Sequence, residues 1–250
     1  ITGIDPNCPF NSRCSGSFQF GIEEHVFSAI LDLSTYNCCE WTLSWSQCCR
    51  NGAIGTLINP GSTPFYTTAK LNKCVTPCNS SPEFTNPPMA MGCCNDDFSF
   101  NNGALDTNDI GDSLSYSLVS ALQSENNNVI YAPGFTPQKP LCFWGRPNNN
   151  LPLPLGFHLD PVSGDLQFRP TCCNQSGVVV IEVKEWRKIN GQMEVIGVTR
   201  RDMQIIIVQC ANKTPKINAT FSHNACAGQE ICVPVTTSDD DVSDTVKVFW

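Results

Sequence analysis

The stretch Gly177-Val178-Val179-Val180-Ile181-Glu182-Val183-Lys184-Glu185-Trp186, running into Asn190-Gly191, sets the fold class. Ten residues rich in Val and Ile read as one long strand, because β-branched side chains pack well on a pleated surface. Asn-Gly between two strand patterns is the strongest short hairpin signal, since both turn residues must reach positive φ. The return is expected as two strands, Val195 to Thr199 and Met203 to Val208. Between them lies the charged run Arg200-Arg201-Asp202, read as a structural ion pair with Glu182 or Glu185 across the hairpin.

The rest of the chain repeats the period-two pattern. Trp41, Leu43 and Trp45 alternate with Thr42, Ser44 and Ser46, and Leu114, Tyr116 and Leu118 alternate with Ser113, Ser115 and Ser117. Such strands cover a core with one face and meet water with the other. Helical periodicity is nearly absent. The expectation is an all-β chain of tandem sandwich domains: 1–78, 79–211 with a long loop over 123–154, and the start of a further related sandwich at 212–250. Polar runs followed by proline mark the two boundaries, at Cys78-Asn79-Ser80-Ser81-Pro82 and Cys210-Ala211-Asn212-Lys213-Thr214-Pro215. A similar pattern follows each boundary: a cysteine-bearing stretch, an aromatic or aliphatic strand, then an Asp-rich run. The chain stops inside an apparent strand, so it reads as a segment of something longer.

Sixteen cysteines in 250 residues place the chain in an oxidising compartment. They are Cys8, Cys14, Cys38, Cys39, Cys48, Cys49, Cys74, Cys78, Cys93, Cys94, Cys142, Cys172, Cys173, Cys210, Cys226 and Cys232. Four adjacent pairs stand out: 38/39, 48/49, 93/94 and 172/173. Neighbours on a strand point to opposite faces, so each pair can serve bridges on both. Partners for 38/39 and 48/49 are expected among Cys8, Cys14, Cys74 and Cys78; Cys226 and Cys232 are a candidate short loop, and Cys142 is expected to tether the long loop. Zinc-like spacing at Cys74-x-x-x-Cys78 and His223-x-x-Cys226 lacks a second pair at ribbon distance, so disulfides explain it better.

Charge narrows the function classes. The net charge is −8 and charged residues are only 15%. Nucleic acid is a poor partner for such a surface. No stretch approaches the roughly 20 apolar residues of a membrane helix, so no membrane insertion is expected. None of the three histidines lies in a nucleophile motif, and no catalytic residue is expected.

Acidic oxygens gather after strands, at Asp106, Asn108, Asp109 and Asp112, and at Asp239 and Asp241, with Asn212 at a linker. Hard cations want several such oxygens, which makes calcium the cofactor candidate. Phe143 and Trp144 are candidates for ligand contact in the 123–154 loop, the alternative reading being a glycan- or protein-binding module. Ser113 and Thr245 lie in Asp-Ser/Thr-aliphatic tripeptides.

Residues 79 to 215 resemble a cadherin-like sandwich. Ala104-Leu105-Asp106-Thr107-Asn108 is similar to an Ala-x-Asp-x-Asp motif, and Leu159-Asp160-Pro161-Val162-Ser163-Gly164-Asp165-Leu166 to a Leu-Asp-x-x-Thr-Gly-x-Ile turn. Ser81-Pro82-Glu83-Phe84 stands where such domains begin, and Asn212-Lys213-Thr214-Pro215 where their linker ends. Cys210 and Lys213 depart from the linker acids. Glu185-Trp186-Arg187, Gly191, Ile196-Gly197 and Arg200-Arg201-Asp202 together resemble the SprB-like gliding-motility adhesins of Bacteroidetes. That resemblance implies export to the cell surface, attachment to external surfaces or polysaccharide, and work with an outer-membrane secretion and motility machinery. It also implies glycosylation at Ser113 and Thr245, and neighbouring domains of the same long chain as partners.

Overall fold

The structure is a computed structural model that describes residues 25–109, 111–145, 156–211, 215–219, 225–226, 228–241 and 245–247. The chain divides into two compact units, Ile1–Cys38 and Cys39–Trp250. The described part of the first, 25–38, holds no strand; its local order is a turn in which Asp32 Oδ1 accepts from the Ser34 backbone N–H at 2.9 Å.

The second unit is all-β, with one single-turn 3-10 helix at Pro60–Ser62 and no α-helix among the described residues. In chain order its strands are β1 (Glu40–Gln47), β2 (Phe65–Asn72), β3 (Glu83–Phe84), β4 (Met89–Cys93), β5 (Phe98–Asn101), β6 (Ala104–Leu105), β7 (Ser113–Val119), β8 (Leu122–Ser124), β9 (Asn127–Asn128), β10 (His158–Leu159), β11 (Asp165–Phe168), β12 (Gln175–Ile189), β13 (Gln192–Val208), β14 (Lys216–Asn218) and β15 (Thr236–Ser238). The main sheet runs β7-β12-β13-β2-β8-β9, with β1 added on β2 and β4 added parallel to β13. A small sheet, β10-β11-β5, packs on it.

The expected hairpin is its centre. Asn190 at φ 51° and Gly191 at φ 88° make the turn between β12 and β13. β13 is one strand of 17 residues where two were expected. The polar run does not break it, because each charged side chain finds a partner. Glu182 stands opposite Arg200 and accepts from its Nε at 3.3 Å. Arg201 points to the other face, lies 4.3 Å from the Phe84 ring centroid and donates to the Asn86 carbonyl. Desolvation there brings its guanidinium down to about 10. Asp202 accepts from Arg50 Nη1 at 3.0 Å and Nη2 at 2.7 Å, with both side chains buried. Arg50 Nη2 also donates to the Leu122 carbonyl, and the guanidinium lies 5.1 Å from the Phe65 ring centroid.

Alternation along β12 builds two cores. Val179, Ile181 and Val183 face the small sheet, meeting Phe98, Leu159, Leu166 and Phe168. Ring centroids at 4.8 Å (Phe98–Phe168) and 4.7 Å (Phe157–Phe168) fill the middle of the sandwich. Val178 and Val180 face the other way, into a smaller core with Ile54, Leu57, Ala121 and Val129. The hairpin is therefore buried on both faces along much of its length, which explains its unbroken run of apolar residues.

The structure corrects the expected domain division. β1 and β2, placed before the expected break at 78/79, pair into the same sheet as β12 and β13: Gly197, Val198 and Thr199 stand opposite Leu71, Lys70 and Ala69. The proline-rich stretch after Cys78 is a connection inside one sheet. The 123–154 loop is not wholly irregular in its described part, 123–145. It opens with the β8–β9 hairpin, and its later part returns Leu141 and Phe143 to the main core. Beyond 211, the described residues form only the two-stranded β14–β15 sheet.

Replacing Arg50 by Met leaves the Asp202 carboxylate buried without its counter-charge. Urea denaturation should show a loss of about 3–5 kcal/mol for Arg50→Met. The double variant Arg50→Met/Asp202→Leu should regain most of that, since no buried charge remains.

Candidate functional site

The two ends of the central hairpin are closed by different chemistry. At the open end, where β12 begins and β13 finishes, sulfur does the work. Cys93 at the end of β4 bridges Cys210, its neighbour Cys94 bridges Cys173, and Cys172 bridges Cys142. The adjacent pairs 93/94 and 172/173 thus each serve two bridges, as alternation requires. Cys142 tethers the long loop. Cys39–Cys74 closes the free ends of the β1–β2 ladder, whose last register pair is Glu40 and Asn72.

The remaining cysteines depart from expectation. Cys48 and Cys49 bridge each other instead of reaching separate partners. Cys226 and Cys232 are exposed thiols and do not close a loop, and Cys78 is likewise an exposed thiol. Cys8 and Cys14 lie outside the described residues.

At the turn end, polar groups cap the sandwich. Glu185 continues the inward face of β12 past Val183, and its side chain is fully buried. Room for it comes from Gly197 across the hairpin, where any Cβ would overlap Oε2. Asn79 Nδ2 donates to Oε1 at 3.1 Å, and Oε2 has no partner among the described residues. Burial pushes the Glu185 carboxyl up to about 7, and the neighbouring charges of Asp106, Asp112 and Asp109 add to the rise.

Beside it, Asp106, Asp109 and Asp112 each bring a carboxylate oxygen within 4.8 Å of the others. Arg187 engages two of them. Its Nε and Nη2 reach the Asp112 oxygens at 2.7 and 2.6 Å, and Nη2 reaches Asp109 at 3.1 Å. That partnership raises the pKa of the Arg187 guanidinium and holds it charged. Asp109 also accepts from the Ser80 N–H at 2.7 Å. Asp106 stands apart: both its oxygens are buried and lack a well-formed hydrogen bond among the described residues, with the Asp109 backbone N–H the donor that favours its charged form. Desolvation raises its pKa.

Three aspartates thus surround one guanidinium with Glu185 beside them, and three buried oxygens on Asp106 and Glu185 lack a well-formed hydrogen bond among the described residues. An all-oxygen donor set of this spacing suits a hard cation such as calcium, whose ligands lie about 2.3–2.6 Å from the ion. The Arg187 guanidinium already supplies positive charge to Asp109 and Asp112 in the same cluster.

Of the acidic residues singled out in the sequence, the structure brings Asp106, Asp109 and Asp112 together. Asn108 is exposed. Asp239 and Asp241 form no such cluster among the described residues; the Asp241 N–H is held by Asp239 Oδ1 at 2.9 Å in a local turn. Asn212 lies outside the described residues. Glu185, Asn79 and Ser80 were missed, because only strand register brings them beside residues far away in sequence. A lone acid continuing an otherwise apolar strand face was the available signal.

Of the ligand-loop pair, Phe143 is a core residue at 8% exposure, its ring tilted against Phe157 at 5.5 Å between centroids, and only Trp144 is exposed. Ser113 and Thr245 are both exposed. No protein-family model, curated protein or solved structure matches the chain.

Glu185 has a folded pKa above its ordinary 4.5, so the folded state holds a proton that the unfolded state releases. Stability from this group is full below about 4.5 and lost as pH rises toward about 7. In chelator, Glu185→Gln should gain stability relative to wild type between about pH 5 and pH 8. Parallel urea midpoints for the two proteins at both ends of that window would break the assignment.

Proposed function

We propose that this chain is a non-catalytic structural segment of a large exported cell-surface adhesin, of the SprB-like kind. In this reading its sandwich is an Ig-like or cadherin-like unit within a tandem array, and it serves surface attachment and gliding. Its partners are neighbouring domains of the same chain, external surfaces or polysaccharide, and the outer-membrane secretion and motility machinery.

The observation that carries the reading is the sulfur belt. Cys93–Cys210 spans 117 residues and Cys94–Cys173 spans 79, so two bridges from adjacent residues tie β4 to both ends of the central hairpin's open side. Such bridges persist only in an oxidising space. They join sequence-distant strands, so the fold resists being pulled apart end to end. That is the demand on a projecting shaft. The buried acid cluster suits the same role, because a bound calcium would stiffen the opposite end of the hairpin only outside the cell, where calcium is plentiful.

Three measurements test it. Labelling intact producing cells with a membrane-impermeant amine reagent should modify the native protein; protection until lysis rules out surface display. Non-reducing peptide mapping should recover the 93–210, 94–173 and 142–172 bridges, and replacing both Cys93 and Cys210 by Ser should cost about 2–5 kcal/mol. Millimolar calcium should raise the melting temperature over chelator by about 3–8 °C. Asp106→Asn should abolish that rise, and an unchanged rise in the variant would remove the cation from the cluster.

A further inference from the structure

The smaller core covers only part of its face of the main sheet. Past Val180, the same face of β12 carries Glu182 and Lys184, and there the sheet is open, leaving a groove of about 490 Å³. That is within the usual range for ligand sites. Strand register arranges its floor in rows. Thr42, Lys70, Val198 and Lys184 stand side by side across β1, β2, β13 and β12. The next row carries Arg200 opposite Glu182, with Thr68 also on the groove wall. Asn126 and Asn128 of the β8–β9 hairpin also line it, with Tyr66, which stands opposite Leu122.

Two features define what fits. The lining is hydroxyl, amide and charged groups, with only Leu122 and Val198 apolar. A lipid or hydrophobic peptide would find little to bury there, whereas a hydroxyl-rich chain would find many hydrogen-bonding partners. The charges are three cations, Lys70, Lys184 and Arg200, against two carboxylates, Glu125 and Glu182. This is a locally positive site on a chain of net charge −8. Glu182 is shared by Arg200 at 3.3 Å and Lys184 at 3.7 Å, and Arg200 Nη1, itself buried, has no hydrogen-bond partner among the described residues. No ion pair among the described residues engages Lys70. Strand spacing and pleat set these cations about 7–10 Å apart, which matches a ligand carrying repeated anionic groups rather than one.

We propose that this groove binds a linear polysaccharide bearing carboxylates, a uronate-containing glycan, with Lys70, Lys184 and Arg200 reading the carboxylates and Thr42, Thr68, Asn126 and Asn128 the hydroxyls. This names the class of the polysaccharide partner and rests on the surface-attachment reading in that respect, but it does not depend on the cation cluster. It also moves ligand contact away from Phe143, which is buried, to the sheet face beside the β8–β9 hairpin.

Calorimetric titration of the intact chain in chelator, with an oligogalacturonate hexasaccharide, tests it. Binding should be measurable and should weaken as salt rises from about 0.05 to about 0.3 M. The double variant Lys70→Ala/Lys184→Ala should lose about tenfold or more in affinity with an unchanged melting temperature, since both side chains reach solvent. Asn126→Ala should weaken binding as well, and Lys139→Ala, away from the groove, should not. No binding of the oligouronate overturns the proposal. So does equal binding of neutral maltohexaose, equal binding of a thymidine oligonucleotide, or full affinity in the double variant. Loss of binding in Asp106→Asn would shift the site to the acid cluster and overturn it too.

Discussion

The pairing of β12 with β13 over fifteen register positions, buried on both faces, is the constraint on which the rest of the structure depends. A two-stranded ribbon alone is marginal in water. This one is stabilised because Val179, Ile181 and Val183 meet one layer while Val178 and Val180 meet another. Everything else is attached to it. β7 extends it on one side; β2 and β4 share the other edge of β13; the small sheet and the 50–62 segment cover its faces. Two-sided burial also means that both ends of the ribbon must be closed against water. Sulfur closes one end and a carboxylate network the other.

The charged run inside β13 shows how polar residues can fix such a ribbon in place. Side chains on a strand alternate strictly, so Arg200 and Asp202 share one face and Arg201 takes the other. A slip of one residue would put either Asp202 beneath Phe84 or Arg201 against Arg50, according to its direction. Hydrophobic side chains alone would tolerate that slip far better, since Ile205, Ile206 and Ile207 are interchangeable in volume. The buried Arg50–Asp202 pair need not add net stability, because desolvation offsets much of its attraction. Its effect is to make the wrong register expensive. The same pair reaches from the segment after β1 to the middle of β13, and so commits residues 40–72 to the sheet that sequence reading had assigned to a separate domain.

What was legible in the sequence was local. Asn190-Gly191 gave the turn because its backbone demand is met by few dipeptides. The adjacent cysteines at 93/94 and 172/173 gave bridges to two sides because strand alternation leaves little choice. Glu182 with Arg200 was legible because a tight turn fixes the register of everything beside it. What failed was every feature set by pairing across long sequence distance. A polar, proline-bearing stretch after Cys78 reads the same whether it links two domains or two strands of one sheet. Phe143 beside a cysteine reads the same at a surface as in a core. Glu185 carried no mark of its partners, because Asn79 and Asp106 come beside it only once β12 and the residues after β6 are in place.

The acid end of the ribbon has a further consequence that the sulfur end lacks. Glu185 is buried where its carboxylate is costly, and a proton relieves that cost. A divalent cation at Asp106, as proposed, would relieve it as well, by supplying positive charge to the same oxygens. Proton and cation would then compete, since a cation lowers the pKa of each carboxyl near it and a proton removes a ligand. Cation affinity would rise with pH across the range in which the metal-free fold loses stability from Glu185. Each would compensate where the other fails, and the turn end would stay closed in fresh acid or in calcium-rich neutral surroundings. The bridged end answers to neither variable, only to reductant. The closure that neither proton nor cation alters lies where the most sequence-distant strands are joined.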